Sequence, residues 1–235
     1  MLTEFKTITL SLPYRLGGVN CYLLEADGSY ILIDTRSSNK RTELEQELER
    51  DGCKSGNLRL IILTHGDFDH TGNAAYLRKK FNSKIAMHYD DLGMVERGDL
   101  FFNRRTGNFF LKLLIKMLIP IFFGFGKSER FKPDFYLDDA YNLCEYGLDA
   151  KVIHIPGHSK GSIGILVSSG DLFCGDLFTN GGKADQPNLN SIIDDKVVAN
   201  ESVEKLKSLK VNTVYPGHGN PFAMDTLGHA ESPNN

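Results

Sequence analysis

Cysteine is scarce and scattered: Cys21, Cys53, Cys144 and Cys174 form no C-x-x-C pair. That spacing offers neither a disulfide framework nor a cysteine zinc cluster, so the four read as buried structural thiols. Positive charge is not in surplus, with 27 lysines and arginines against 30 acidic residues and a formal net charge of -3. A chain so balanced carries no general basic field, and nucleic acid is not an expected partner. The opening MLTEFKTITLSLPYR lacks a basic start followed by a long apolar stretch, which argues against a secretory signal and for the cytoplasm. No apolar run is long and uncharged enough to read as a membrane span; the longest, within 100–127, is broken by Lys112, Lys116 and Pro120.

What is present suits one compact unit, residues 1–235, since 41% hydrophobic residues suffice for a sizeable core. FKTITLSL, NCYLLEA and YILIDT read as antiparallel strands, with Asp27-Gly28 as a two-residue hairpin turn. Residues 38–50 predict an amphipathic helix through Leu44 and Leu48, with Ser38 as its cap. Strand LRLIIL, a polar loop, a helix from Gly72 to Phe81 and strand KIAMH follow. A second series begins near Phe135, with strands FYL, KVIHI, SIGILVSS and DLFCGD, a helix over 194–209 and strand TVY. Strands alternating with helices and hairpins predict an α/β (α+β) domain with helices covering sheets.

Between the two series lies a helical apolar insertion, about 99–131. It carries Arg104, Arg105, Lys112, Lys116 and Lys127 but no acidic residue over 100–127. It reads as a cap over a cleft, a homodimer contact, or a basic element lying on an anionic membrane surface. Packing against protein is the preferred reading, because apolar insertions in soluble chains usually bury that way.

Chemistry concentrates in LTHGDFDHTGN, which places His65, Asp67, Asp69 and His70 straight after an apolar strand. Other candidates recur in the same context, a polar loop following a strand: His158 in IPGHSKGS, Asp176 in CGDLF and His218 in YPGHG. Glycine adjoins His65, His158, Asp176 and His218, permitting sharp turns and close backbone approach. His65, Asp67 and Asp69 alternate, so they converge only if the backbone turns. As accidental solvated turns, these loops would leave costly unpaired polar groups wherever they are buried.

These motifs resemble the metallo-β-lactamase superfamily, whose signature is H-x-H-x-D-H followed by distant His, Asp and His. The resemblance covers nearly the whole chain, including LIDT near the start. It implies a four-layer αβ/βα sandwich with a two-metal site at one edge. One metal would be held by His65, Asp67 and His158, the other by Asp69, His70 and His218, with Asp176 bridging. Asp67 departs from the pattern, standing where the superfamily usually has histidine. Two divalent ions, three aspartates and a bridging hydroxide then sum to zero formal charge. The harder oxygen donor tilts preference from zinc toward iron or manganese, and flavodiiron reductases carry a glutamate there and bind iron.

The resulting expectation is a dinuclear zinc hydrolase, with Fe or Mn as alternatives. A bridging hydroxide, oriented by Asp69, would cleave an ester, thioester, lactone, amide or phosphodiester bond of a small-molecule substrate. The competing readings are a diiron redox protein, an RNA or phosphodiester nuclease, and a binding module with a structural metal. Open, water-holding ligand sets argue against the last. Asp34, at a strand end, is placed either to accept a hydrogen bond from a ligand histidine or to cap the next turn. Tyr14, Arg15 and Lys183 are candidates for substrate contact, Lys183 toward a carboxylate or phosphate. His88 and His154 read as structural, and His229 lies in a polar tail.

Overall fold

Alternation of apolar side chains along the strands decides the architecture. The computed structural model describes residues 4–11, 18–105, 117, 129–181 and 187–227. The first half contains β1 (Phe5–Ser11), β2 (Gly18–Ala26), β3 (Ser29–Ile33), α1 (Arg41–Arg50), β4 (Leu58–Ile62), α2 (Phe68–Thr71), α3 (Ala74–Phe81), β5 (Lys84–Met87) and α4 (Leu92–Glu96). The second contains β6 (Phe135–Tyr136), β7 (Ala150–His154), β8 (Ile163–Val167), β9 (Asp171–Asn180), β10 (Asn188–Leu189), α5 (Lys196–Lys207), β11 (Thr213–Gly219) and β12 (Phe222–Ala223). Hydrogen bonding runs continuously in the order β6-β5-β4-β3-β2-β11-β9-β8-β7. The β3, β4, β5 and β6 ladders are parallel, as are β9 and β11, while β7, β8 and β9 pair antiparallel.

Three buried clusters show that this surface is folded on itself. Leu23, Leu32, Ile61 and Ile85 face out from β2 to β5 and meet Leu44 and Leu48 of α1 and Leu77 and Phe81 of α3. Their strand neighbours Tyr22, Leu24, Ile31, Ile33, Leu60 and Ile62 face the other way and meet Val152, Ile163, Ile165 and Phe173 of the second half. Ile153, Leu172, Cys174 and Val214 then pack on Ala199, Val203 and Leu206 of α5. Helix, sheet, sheet and helix therefore form four layers, the αβ/βα sandwich expected. Burying each large aliphatic side chain contributes about 1.5–3 kcal/mol, and register is enforced because a one-residue slip would exchange the side chains packed on the helices with those packed on the facing sheet.

The halves meet where β2 pairs β11 through Val19 and His218. Asn20 Nδ2 donates to the Pro216 and Gly219 carbonyls, and the Tyr22 hydroxyl donates to Pro216. The Asp27-Gly28 turn has φ of 49° and 69° at its two residues, as a tight hairpin of that type requires.

Local departures from the sequence reading have physical causes. Ser38 does not cap α1: it is buried in a 3-10 turn, Ser38–Lys40, that precedes the helix. The expected helix from Gly72 begins at Ala74, because the Asn73 side chain is drawn back to the Thr35 and Ser37 carbonyls. Among the described residues no helix is long and apolar enough to cross a membrane. Most of the insertion, residues 106–116 and 118–128, lies outside the described residues, as do Tyr14, Arg15, Lys183 and His229.

Candidate metal centre

The turn that the alternating pattern demanded occurs at Asp67. His65 lies in a bend after β4; at Asp67, whose backbone is extended (φ -67°, ψ 143°), the chain enters α2, which swings Asp69 and His70 onto one helical turn. Asp91, itself buried, braces this loop by accepting from the Gly66 amide at 2.9 Å. The same carboxylate accepts from the Ser159 hydroxyl at 2.6 Å and the Gly161 amide at 2.9 Å, tying the His158 loop to the His65 loop.

Asp176 and His218 differ from the sequence reading: neither follows a strand in a loop, since both lie inside one, β9 and β11. The β9 and β11 ladder shifts register between Tyr215, Pro216 and His218, and Gly175 adopts φ +53°. Such irregularities re-aim side chains, here toward His70. Gly217 leaves the necessary room, because a Cβ there would stand 2.3 Å from Asp176 Oδ1.

The seven residues converge. Ring centroids of His65 lie 4.2 Å from His70 and 4.7 Å from His158, and His70 lies 5.5 Å from His218. Three triads, His65-Asp67-His158, Asp69-His70-His218 and His65-His70-Asp176, each have potential ligand atoms within 4.8 Å of one another. Asp176 reaches His70 Nε2 with one oxygen and His218 Nε2 with the other, each at 3.3 Å.

The four histidines of the cluster are turned the same way. His70 Nδ1 donates to Asp34 Oδ2 at 2.9 Å. The Thr64 hydroxyl also donates to that oxygen and is left to accept from His65 Nδ1 at 2.9 Å. His158 Nδ1 donates to the Ile192 carbonyl at 2.6 Å and His218 Nδ1 to Gly18 at 3.1 Å. With Nδ1 of each ring committed to these partners, all four Nε2 atoms point into the cluster and are the ones that can exchange a proton for a cation. His65 Nε2, His70 Nε2 and Asp176 Oδ1 are buried there without a hydrogen-bond partner. Orphaned imidazole lone pairs facing carboxylates make a donor set that fits divalent cations.

Burial opposes charge on these groups, but their neighbours outweigh it. The charge of Arg104, with hydrogen bonds from His158 and His65, holds Asp67 well below the usual carboxylate range. His70 and His218 do the same for Asp176. In turn Asp176, Asp34 and Asp69 hold His70 well above the ordinary imidazole value, and Asp176 with Asp69 lifts His218 to about 10. In protein stripped by a chelator, the raised His218 stabilises the fold fully below 6.5, and that contribution is lost as pH rises through about 10. The depressed carboxylates contribute above their unfolded value of 3.8 and lose that contribution only as pH falls below it. The stripped protein is therefore expected to melt at progressively lower temperature from pH 6.5 to 10, more steeply than the metal-loaded protein. Parallel melting curves for the two forms would contradict this account.

Arg104 and Asp91 escaped the sequence reading. Arg104 Nη2 donates to both oxygens of Asp67 at 2.8 Å, and its side chain is only 11% exposed. His88 and His154 stack with centroids 4.2 Å apart and planes 5° apart. His154 Nε2 donates to the Lys160 carbonyl and His88 Nδ1 accepts from the Asp90 amide; both rings are only partly buried, and with Asp90 their potential ligand atoms also lie within 4.8 Å of one another.

Comparison with known proteins adds a family. A model of the metallo-beta-lactamase superfamily matches residues 14–218. A probable metallo-hydrolase of Methanocaldococcus jannaschii is 30% identical over 207 residues, covering 85% of this chain and 87% of that protein. A beta-lactamase-like protein 2 homolog of Caenorhabditis elegans is 24% identical over 209 residues, 88% of this chain, but this chain spans only 58% of that relative. Among solved structures, one in a di-iron-bound form aligns with a TM-score of 0.67 at 23% identity, covering 94% of this chain and 96% of that one.

Proposed function

The chain belongs to the metallo-beta-lactamase superfamily, and from that premise we propose that it is a metal-dependent hydrolase of a small-molecule ester, thioester, lactone, amide or phosphodiester. His65, Asp67 and His158 would hold one divalent cation, Asp69, His70 and His218 a second, and Asp176, placed among both sets, would be shared. The observation that carries this reading is the common orientation of four imidazoles, each tied back through Nδ1 with Nε2 presented to three carboxylates. Bound cations would supply Lewis acidity and a nucleophile available near neutral pH.

The remaining work belongs to the chain. Asp34 fixes the tautomer of His70 directly and of His65 through Thr64. Asp69 Oδ2 lies 3.5 Å from His218 Nε2, which leaves its other oxygen to accept a hydrogen bond from the attacking water and orient it. Zinc is the proposed metal. The oxygen donor at Asp67, together with the di-iron-bound relative by fold, favours a second reading, a diiron redox protein.

Metal analysis combined with a panel of ester, thioester, lactone, amide and phosphodiester substrates, repeated on Asp69→Ala, tests the proposal. The expected result is a colourless protein with bound divalent metal that hydrolyses part of the panel, and a loss of about a hundredfold to ten-thousandfold in the variant. A coloured iron protein inert toward the panel would favour the redox reading. Equal turnover by Asp69→Ala would reject the role given to Asp69.

A further inference from the structure

Three carboxylates face the proposed cations, and one of them is already neutralised. Asp67 Oδ2 looks inward, 2.9 Å from His158 Nε2 and 3.5 Å from His65 Nε2, while Arg104 Nη2 bonds both Asp67 oxygens from the other side. Asp69 and Asp176 are paired only with histidines among the ion pairs of the described residues. Arg104 is delivered by a braced segment. Its own amide donates to Phe101, the Asn103 side chain donates to the Asp90 carbonyl, and the Arg105 amide donates to Asp194. Phe102 packs so closely on Gly93 that a Cβ there would meet the ring at 2.3 Å. A guanidinium held this way loses little further freedom on pairing and, unlike an ammonium, stays charged at any working pH.

Resting on the metal-centre reading above, we propose that Arg104 is a positioning residue that makes Asp67 and itself a single charge-neutral ligand unit. Two divalent cations against three aspartates leave one positive charge, and Arg104 restores a second. The sum is the one a neutral imidazole at position 67 would give with no arginine present. The two arrangements are therefore alternatives, and mixing them is unfavourable. A histidine at 67 beside Arg104 leaves an unpaired, mostly buried cation against the metals, whereas Asp67 without Arg104 is an unguided carboxylate.

The test is retention of zinc against a competing chelator, measured for the wild type, Asp67→His, Arg104→Met, Arg104→Lys and the double variant Asp67→His/Arg104→Met. Asp67→His is expected to lose tenfold or more in affinity, and the double variant to recover to within about threefold of the wild type. Arg104→Lys should hold zinc better than Arg104→Met, because it keeps the charge. Losses that simply add, so that the double variant is worse than Asp67→His, would overturn the proposal while leaving the metal centre standing. A wild type that retains no metal would overturn both.

Discussion

Asp91→Ala is expected to destabilise the protein by about 3–5 kcal/mol, measured as a drop in the urea midpoint at constant slope. Asp91 is 0% exposed, and the substitution leaves the amides of Gly66 and Gly161 buried without an acceptor. Each such orphan costs about 1–3 kcal/mol. The Ser159 hydroxyl suffers less, since it can turn to Ser162 Oγ at 2.8 Å. The effect is not confined to stability. Asp91 fastens the loop bearing His65 to the loop bearing His158, so metal retention should fall with it. A loss below about 1 kcal/mol would show that the two loops are held by something else.

Asp34→Asn is expected to weaken zinc binding about tenfold to a hundredfold although Asp34 touches no proposed cation. Asparagine is the appropriate substitution because position 34 has φ 61°, a left-handed backbone that asparagine tolerates and alanine does not. The Asp34 carboxylate accepts from the Thr64 amide, the Thr64 hydroxyl and His70 Nδ1. An amide group has one accepting oxygen and cannot serve all three. If that oxygen stays with Thr64, the amide nitrogen meets His70 Nδ1 and favours the tautomer whose Nε2 carries a proton, which blocks the lone pair. If it takes the place of Oδ2 it serves His70 and the Thr64 hydroxyl, but the buried Thr64 amide then faces the side-chain nitrogen and is left without an acceptor. Chelator competition against the wild type measures the difference, and wild-type affinity in the variant would sink the orienting role.

Much of this was legible in the order of residues. The unbroken apolar run Tyr22, Leu23 and Leu24 marks a strand buried on both faces without saying which side chain meets which layer, and the Asp27-Gly28 pair announces its hairpin through the conformations it tolerates. The histidines and aspartates of LTHGDFDHTGN could be named because they are crowded in sequence. Asp91 and Arg104 could not. Asp91 draws its donors from positions 25 to 70 residues away, and Arg104 meets Asp67 across 37 residues from within a segment that composition marks only as an insertion. Nor do letters disclose that Asp176 and His218 sit inside strands, since that depends on a register shift between β9 and β11 that exists only once the two strands have paired.

The narrow join between the halves has a consequence for assembly. β2 touches β11 in the ladder through Val19 and His218, and the carbonyl of Gly18 next door steadies the imidazole of His218. A proposed ligand thus occupies the seam itself, while Asp69 and His70 lie on the opposite bank. A cation gripped by all three would rivet one half of the sandwich to the other, making loading of the centre and closure of the molecule a single cooperative event.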